Sequence, residues 1–430
     1  MIRTIAGKEI ISNLLSYKFF IVLLLIVVLV TTSFFIMHRD FQNRLSDYQV
    51  IRPKPGDPIA LVPPNPLSIL AKGLDEAMTR SFEIGVTGIT VRAGQKTGNL
   101  IFSFFPAPDF LYVVRVVLSL VALLFGFDQI SREKENGTLR LMLANGVSRA
   151  KILLGKWLGN FVSLAIPFGL VTLLGIALLA LDPGARFTAA HLGRLGLILV
   201  ITFVYVAFFL SLGIFISTVT RKAASSLIIL LFIWALIVFI IPNLGTLLAR
   251  QMVDVPSVRA LSEKRQQVWT REVLLSIGEG RRAEGQTAGD VPGRGGWAGH
   301  VATIHEEIDR LEEDYRLRFD RLVKQSKGIN RLSPAASLVY AVTDIAGTGI
   351  SEEMNLKREV IRYKDSIIRQ MIAGIASDSP AKGYPAFNYR PRSLGAVFAG
   401  GALFDAAWLV FFNILFFALS YVSFIRYDVR

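Results

Sequence analysis

Long apolar runs alternate with polar stretches along this chain, and the pattern predicts a helical membrane protein. Six runs approach the roughly 20 residues that a helix needs to cross the hydrocarbon core of a bilayer. They cover residues 19–37, 110–127, 157–181, 195–219, 224–248 and 403–425. We therefore expect an all-α integral membrane protein with six transmembrane helices.

The polar stretches predict smaller elements at the two ends of this bundle. Residues 1–18 mix apolar and charged positions, which favours a helix lying along the membrane interface over an unstructured charged leader. Residues 38–109 and 249–402 are long enough to fold outside the membrane. Partial alternation of β-branched residues over 82–91 predicts a strand or hairpin in the first of them.

The second long segment, residues 249–402, has helical patterns. Apolar residues recur at coiled-coil-like spacing from Ile304 to Tyr315 within a charged helix over 300–327, and Ser351 can cap a later helix. Residues 257–277 predict one more helix, and the glycine-rich stretch 278–299 predicts a loop. These patterns predict a mainly helical domain at this end.

Lysine and arginine orient the six spans. They concentrate in residues 1–18, in 128–156, at Arg221 and Lys222, and in the tail 426–430. Alternating spans place all four segments on one side, and positively charged connections stay in the cytoplasm. We therefore expect both termini to be cytoplasmic and the segments 38–109 and 249–402 to be extracytoplasmic.

Composition excludes several classes of protein. The chain of 430 residues is 52% hydrophobic and 19% charged, whereas about a quarter of a soluble protein's residues are charged. Absence of cysteine excludes disulfides and thiolate metal sites. The net charge of +14 comes largely from residues beside the spans, where they meet lipid headgroups. No basic patch is interleaved with aromatic residues, so no nucleic-acid partner is expected.

Catalytic chemistry is not apparent in the sequence. No Walker motif or nucleophile elbow occurs. Residues 305–309 begin like a zinc-protease helix, but Asp309 stands where a second histidine is required, so we expect no metal, cofactor or catalytic site. Arg115 lies inside the second apolar run, where it either extends toward the interface or lines a substrate path.

The most specific polar segment lies between the second and third runs, over residues 128–156. Gly137 permits a sharp turn, Thr138 can cap a short helix, and apolar and arginine side chains follow that suit a groove on a soluble partner. An ordinary positively charged connecting loop is the alternative. The candidate docking residues are Glu133, Glu135, Gly137, Thr138, Leu139, Arg140, Leu141, Met142, Leu143, Ser148 and Arg149.

This segment resembles the cytoplasmic loop of type 2 ABC transporter permeases, which follows a pattern close to E-x-x-x-G-T-L-x-x-L-L, then S-R, then K-x-x-G. The order of an interfacial helix and six spans is similar as well. The long insertions resemble a bacterial subgroup that includes gliding-motility and nitrous-oxide-reductase-maturation permeases. The resemblance implies a multi-pass protein of the bacterial cytoplasmic membrane whose coupling helix docks on an ATP-binding subunit.

The resemblance also implies which other subunits and ligands take part. ATP and Mg would bind the partner subunit, and a second permease subunit would complete a homodimer or heterodimer in membrane lipid. The implied function is that of a non-catalytic permease subunit of an ATP-driven exporter. A mechanotransmitter that drives a protein of the cell envelope without moving a substrate is the alternative. A receptor or assembly scaffold without an ATPase is a third hypothesis.

Overall fold

The first half of the chain forms two long helices, a small sheet and the first part of the bundle. A computed structural model describes residues 1–85, 88–92, 108–144, 147–182, 184, 187–284, 294–376 and 383–426. The elements are α1 (Ile2–Leu14), α2 (Tyr17–Ile51), β1 (Ile59–Ala60), α3 (Asp75–Met78), β2 (Ser81–Gly85), β3 (Gly88–Arg92), α4 (Phe110–Tyr112, Val113–Leu118 and Ser119–Gly126), α5 (Ser131–Glu135), α6 (Thr138–Ala144) and α7 (Arg149–Ala180).

The second half completes the bundle and adds a helical hairpin. Its elements are α8 (Ala189–Val219), α9 (Ala223–Ala235, Leu236–Ile240 and Ile241–Met252), α10 (Val258–Glu284), α11 (Arg294–Asn330), α12 (Pro334–Ala346), α13 (Ile350–Ala376) and α14 (Leu394–Val397, Phe398–Ala402 and Leu403–Arg426). Helices α2, α4, α7, α8, α9 and α14 are long and apolar enough to cross a membrane. The predicted all-α membrane fold is confirmed.

Several helices extend beyond the apolar runs that predict them. Helix α2 continues through polar residues to Ile51, and α7 begins at Arg149 rather than at residue 157. An apolar run measures the thickness of the bilayer, whereas the backbone hydrogen bonds of a helix continue into water as long as the side chains permit. The predicted loop over 278–299 is wrong at both edges, because α10 reaches Glu284 and α11 starts at Arg294. Residues 285–293 lie outside the described part of the chain.

Helix α8 is the centre of the bundle. It packs against α4, α7, α12 and α14, and the side chains of Tyr205, Phe208 and Phe209 are fully buried. The ring of Phe208 lies 5.9 Å from that of Phe412 and 5.7 Å from that of Phe416, both on α14. Aromatic pairs at this spacing add to the packing between helices.

A short helix, α12, lies inside the bundle, although the sequence pattern places residues 334–346 in the outer domain. Nearly all of its side chains are buried, and it packs between α8 and α14. The side chain of Arg194 on α8 donates to the Ile345 carbonyl at 2.9 Å, and Asn65 donates to the Ala346 carbonyl at 2.7 Å. These bonds satisfy the carbonyls at the end of α12, which have no partner within the helix itself.

Two π-helical turns and one kink surround α12. The π turns occupy Val113–Leu118 in α4 and Leu236–Ile240 in α9, the kink lies in Phe398–Ala402 of α14 at Gly401 (φ +115°), and each of the three contacts α12. The hydroxyl of Ser333, which caps α12, donates to the Ile237 carbonyl at 2.5 Å. The bundle therefore departs from regular α-helical geometry where this helix is inserted.

A second, smaller hydrophobic core stabilises the domain that contains α10, α11 and α13. We call the end of the bundle that carries this domain the domain end. Strands β1, β2 and β3 form an antiparallel sheet, with Ser81 opposite Arg92, so the predicted hairpin is confirmed. Phe82 and Ile84 of the sheet pack with Leu356 and Val360 of α13. Helices α10 and α11 pack together as a hairpin beside this core.

Candidate docking site

The segment between α4 and α7 folds into two short helices at the end opposite the domain end. Helix α5 follows α4 after one turn, and α6 starts after Gly137. Gly137 has a φ of +71°, a conformation that costs little only without a Cβ atom. The hydroxyl of Thr138, the first residue of α6, donates to the Glu133 carbonyl at 3.4 Å, and its role as a helix cap stays a prediction. We call this region, which includes α1, the docking end.

A buried cluster of three charges fixes α5 to the bundle. The ammonium group of Lys156, on α7, lies 2.7 Å from the carboxylate of Glu133 and 2.9 Å from that of Glu9 on α1. Only 4% of the Lys156 side chain is exposed. We call this group the Lys156 cluster. It joins α1, α5 and α7, and removal of one member leaves a buried charge without its partner.

Two glycines bring α1 close enough for this cluster to form. A Cβ atom on Gly155 would lie 2.8 Å from the Ile5 side chain, and one on Gly159 would lie 2.9 Å from the Ala6 carbonyl oxygen. Such distances are shorter than van der Waals contact, so these positions require glycine for the close approach of the two helices. Glycines four residues apart share one face of a helix, and α1 packs on this face of α7.

Helix α5 also holds the connection between α8 and α9. The ammonium of Lys134 donates to the Thr220 carbonyl at 3.1 Å and to the Thr218 carbonyl. The carboxylate of Glu135 accepts from the Ala223 backbone at 3.3 Å, at the start of α9. The Ser217 hydroxyl accepts from the backbone of Ser131 at 2.9 Å. These hydrogen bonds connect the first turn of α9 and the last turn of α8 to α5.

The underside of α6 packs on the bundle. Leu139 is buried with Ile130, Ile152 and Phe424, while Met142 and Leu143 lie partly buried against the same cluster. Leu139 thus belongs to the interior of this chain, although the sequence pattern assigns it to a docking surface. Burial of a leucine of this kind contributes about 2 kcal/mol or more, which holds α6 against the bundle.

Arg149 also has a role within the chain. Its guanidinium donates to the carbonyls of Phe424 and Ile425 at 2.5 and 2.6 Å, at the last turn of α14. Cations are stabilising at this end of a helix because its carbonyl groups carry partial negative charge. Arg149 therefore joins the start of α7 to the end of α14. The neighbouring Ser148 is exposed ahead of α7.

The outer face of α6 is the part that faces solvent. Thr138, Arg140 and Leu141 are exposed there, and 66% of the Leu141 surface is accessible. A large apolar side chain and an arginine on one face, supported by a buried base, are typical of a helix that binds in a groove of another protein.

The sequence pattern missed the side chains that support this face. Phe424 carries no signal of its own in an apolar run, and Lys156 is one of several cations in residues 128–156. Glu9 is one of several charges in α1. The pair Gly155 and Gly159 was the available signal, because the cluster forms where these glycines admit α1.

Arg115 lies in the π turn of α4, away from the docking end. Its guanidinium is 5.6 Å from the ring of Tyr112, and its Nε atom is buried with no hydrogen-bond partner in the described part of the chain. Interface anchoring and lining of a substrate path both stay predictions for this residue.

Fold and site together define a class of protein: a multi-pass helical membrane subunit that presents a short supported helix at one end of its bundle. The family comparison agrees, since the model of the ABC-2 family transporter proteins matches residues 3–429. The chain belongs to this family, and the resemblance to type 2 ABC permeases is confirmed. It is a membrane permease subunit of an ABC system.

Two relatives that match part of this chain are also named as ABC transporter permeases. The chain is similar to the probable ABC transporter permease protein NosY of Stutzerimonas stutzeri, with 32% identity over 121 residues, which is 28% of this chain and 42% of that protein. It is 34% identical over 127 residues to the protein of the same name from Pseudomonas aeruginosa, covering 28% of this chain and 44% of that protein. The chain spans less than half the length of these relatives.

Proposed function

We propose that this chain is the permease subunit of an ATP-driven exporter and that α6 is the helix on which a separate ATP-binding subunit docks. The exposed face of α6, with Arg140 and Leu141 above a buried Leu139, is the observation that carries the proposal. ATP and Mg bind the partner subunit, and this chain contributes no catalytic group. The docking end lies in the cytoplasm with both termini, and the domain end lies outside the bacterial cytoplasmic membrane.

The contacts around α6 supply a route from the docking face to the spans. A push on α6 reaches α14 through Phe424 and reaches α7 through Ile152. Helix α5 carries the same displacement to α1 through the Lys156 cluster and to α9 through Glu135. Movement of the ATP-binding subunits would therefore reorient several spans together, within a dimer formed with a second permease subunit, identical or different.

Substitutions on the exposed face of α6 test the docking role. We expect Leu141→Asp and Arg140→Glu to reduce co-purification of the ATP-binding subunit tenfold or more and to abolish ATPase activity in reconstituted membranes. Leu274→Asp is the matched control, because Leu274 is 63% exposed on α10 at the domain end. Unchanged assembly and unchanged ATPase activity in both α6 variants would overturn the proposal.

A second candidate, mechanotransmission to a protein of the cell envelope, rests on the length and the base of α11. This helix has 37 residues, or about 55 Å, and its last turn contacts two spans. The guanidinium of Arg331 pairs with the buried Asp405 carboxylate of α14 at 2.5 Å, and Asn330 donates to Thr246 of α9 at 3.3 Å. Substrate flux from proteoliposomes favours export, whereas a stable envelope partner without flux favours transmission.

A further inference from the structure

A mixed cluster of one histidine and two carboxylates joins α11 to α13 at the domain end. The Nε2 atom of His305 lies 3.2 Å from Asp309 Oδ2 and 3.8 Å from Asp365 Oδ1. The three donor atoms all lie within 4.8 Å of one another. His305 and Asp309 are one helical turn apart on α11, and Asp365 faces them from α13.

The two separations from His305 are close to the spacing of donors around a small divalent metal ion. Bonds of about 2.0–2.2 Å to nitrogen and oxygen place tetrahedral ligands roughly 3.4 Å apart. The distances of 3.2 and 3.8 Å from His305 lie on either side of that value. Small side-chain rotations would therefore bring three ligands onto one ion.

Lys364 orients one of the carboxylates without filling the position between the donors. Its buried ammonium lies 2.5 Å from Asp309 Oδ1 and 3.1 Å from Glu312 Oε2. Burial lowers the pKa of Lys364, but Glu312 and Asp309 outweigh it, so the net direction is upward. The lysine occupies Oδ1 of Asp309, which leaves Oδ2 directed at His305. Metal-binding carboxylates are commonly held by a hydrogen bond of this kind.

The Asp365 carboxylate supplies a second, independent observation. Its Oδ1 atom is buried and has no hydrogen-bond partner among the residues described. Lys364 is 4.0 Å away, beyond hydrogen-bond distance. The Asp365 side chain is 35% exposed, and its Oδ1 atom lies 3.8 Å from Nε2 of His305, on the side of the cluster where the other two donors meet.

We propose that His305, Asp309 and Asp365 bind a divalent first-row transition-metal ion and that Zn²⁺ suits this donor set best. One imidazole and two carboxylates give three protein ligands, which leaves a fourth position for water. Asp309 and Asp365 line a cleft of about 600 Å³, whose lining also includes Glu306, Glu313 and Arg310. The third ligand comes from another helix, which the sequence pattern around Asp309 cannot reveal.

The ion would fasten α11 to α13. Because the last turn of α11 contacts α9 and α14, metal binding would stiffen the domain next to two spans. This site is independent of the docking role of α6, and either proposal can fail without the other.

Co²⁺ spectroscopy on the full-length protein, purified in detergent without a polyhistidine tag and stripped with a chelator, tests the proposal. We expect visible d–d absorption that saturates at one equivalent of Co²⁺ and disappears on addition of Zn²⁺. The chain has no cysteine, so thiolate bands cannot interfere. We expect His305→Ala and Asp365→Asn each to weaken binding by about tenfold or more.

His300→Ala is the matched control, since His300 lies on the same helix and pairs with Glu272 at 3.2 Å. This variant should retain the Co²⁺ spectrum and its stoichiometry. Asp365→Asn is nearly isosteric, so it reports on the site if His305→Ala fails to fold. Absence of a saturable band would overturn the proposal, as would a band of equal affinity in both ligand variants, which would indicate adventitious binding to surface carboxylates.

Discussion

The Lys156 cluster and the exposed face of α11 use charged residues in different ways. At the docking end, the carboxylates of Glu9 and Glu133 converge on the buried ammonium of Lys156 and hold α5 in one position. Along α11, ion pairs such as Glu306 with Arg310 lie one turn apart on the same helix and are mostly exposed. Exposed pairs of this kind contribute about 0.3–0.5 kcal/mol, whereas removal of one partner from a buried pair costs about 3–5 kcal/mol. Buried charges therefore set where elements lie, and the exposed ones mainly solvate a helix.

The Lys156 cluster should give the largest effect. We expect Lys156→Ala to destabilise the protein by about 3–5 kcal/mol, because Glu9 and Glu133 remain buried without their partner. Thermal unfolding in detergent measures the change, with Arg310→Ala as the exposed control. A triple variant, Glu9→Gln, Glu133→Gln and Lys156→Met, should recover much of the loss. Equal stability of Lys156→Ala and Arg310→Ala would contradict the stated difference between buried and exposed charges.

The two faces of α6 give the next effect. We expect Leu139→Ala to cost about 2–4 kcal/mol, since it opens a cavity above Ile152 and Phe424. Leu141→Ala should change stability by less than about 0.5 kcal/mol, because its side chain is already in solvent. Urea or thermal unfolding of both variants distinguishes the side chain that supports α6 from the side chain on its exposed face. A larger loss for Leu141→Ala would reverse the assignment of the two faces.

The buried pair of Arg331 and Asp405, at the domain end, should give an intermediate effect. Asp405 is fully buried, while Arg331 is 25% exposed, so we expect Asp405→Asn to cost about 2 kcal/mol. A double-mutant cycle with Arg331→Gln should show a coupling of about 1 kcal/mol or more. Additive single effects would show that the pair does not join α11 to α14.

The smallest effect concerns pH at the domain end. The pKa of Lys364 in the folded protein lies above its ordinary value of 10.5, because the carboxylates of Glu312 and Asp309 outweigh burial. Its contribution to stability is therefore complete below pH 10.5 and is lost as the pH rises through the folded-state pKa. The free energy of unfolding, measured from pH 9 upward, should decrease in the natural chain and should decrease less steeply in Lys364→Gln. Identical slopes would contradict the assignment.

Sequence reasoning predicts the spans and the docking segment because both depend on local signals. Apolar runs of bilayer length identify six helices, and a glycine followed by an apolar helix identifies α6. The roles within that segment depend on distant partners. Glu133 and Arg149 were expected at the docking surface, yet Glu133 pairs with Lys156 and Arg149 binds the carbonyls of α14. No spacing within residues 128–156 encodes these partners.

The position of α12 was beyond sequence reasoning for a related reason. Its 13 residues are too few to span a bilayer, so a length criterion assigns them to the outer domain. Its environment is set by Arg194, Asn65 and Ser333, whose partners are backbone carbonyls on other elements or at its own end. Every residue has a backbone carbonyl, so a hydrogen bond to the carbonyls of a helix leaves no pattern in the sequence of that helix.

The π turns around α12 have a geometric consequence for the spans that contain them. A π turn holds one residue more than the α-helical turn it replaces, and each residue of an α-helix contributes 1.5 Å of length and about 100° of rotation. If α4 or α9 returned to regular geometry at this level, its far half would rotate by about 100° and shift by about 1.5 Å. Each of these two spans thus holds one residue more than regular geometry needs, and both π turns contact α12.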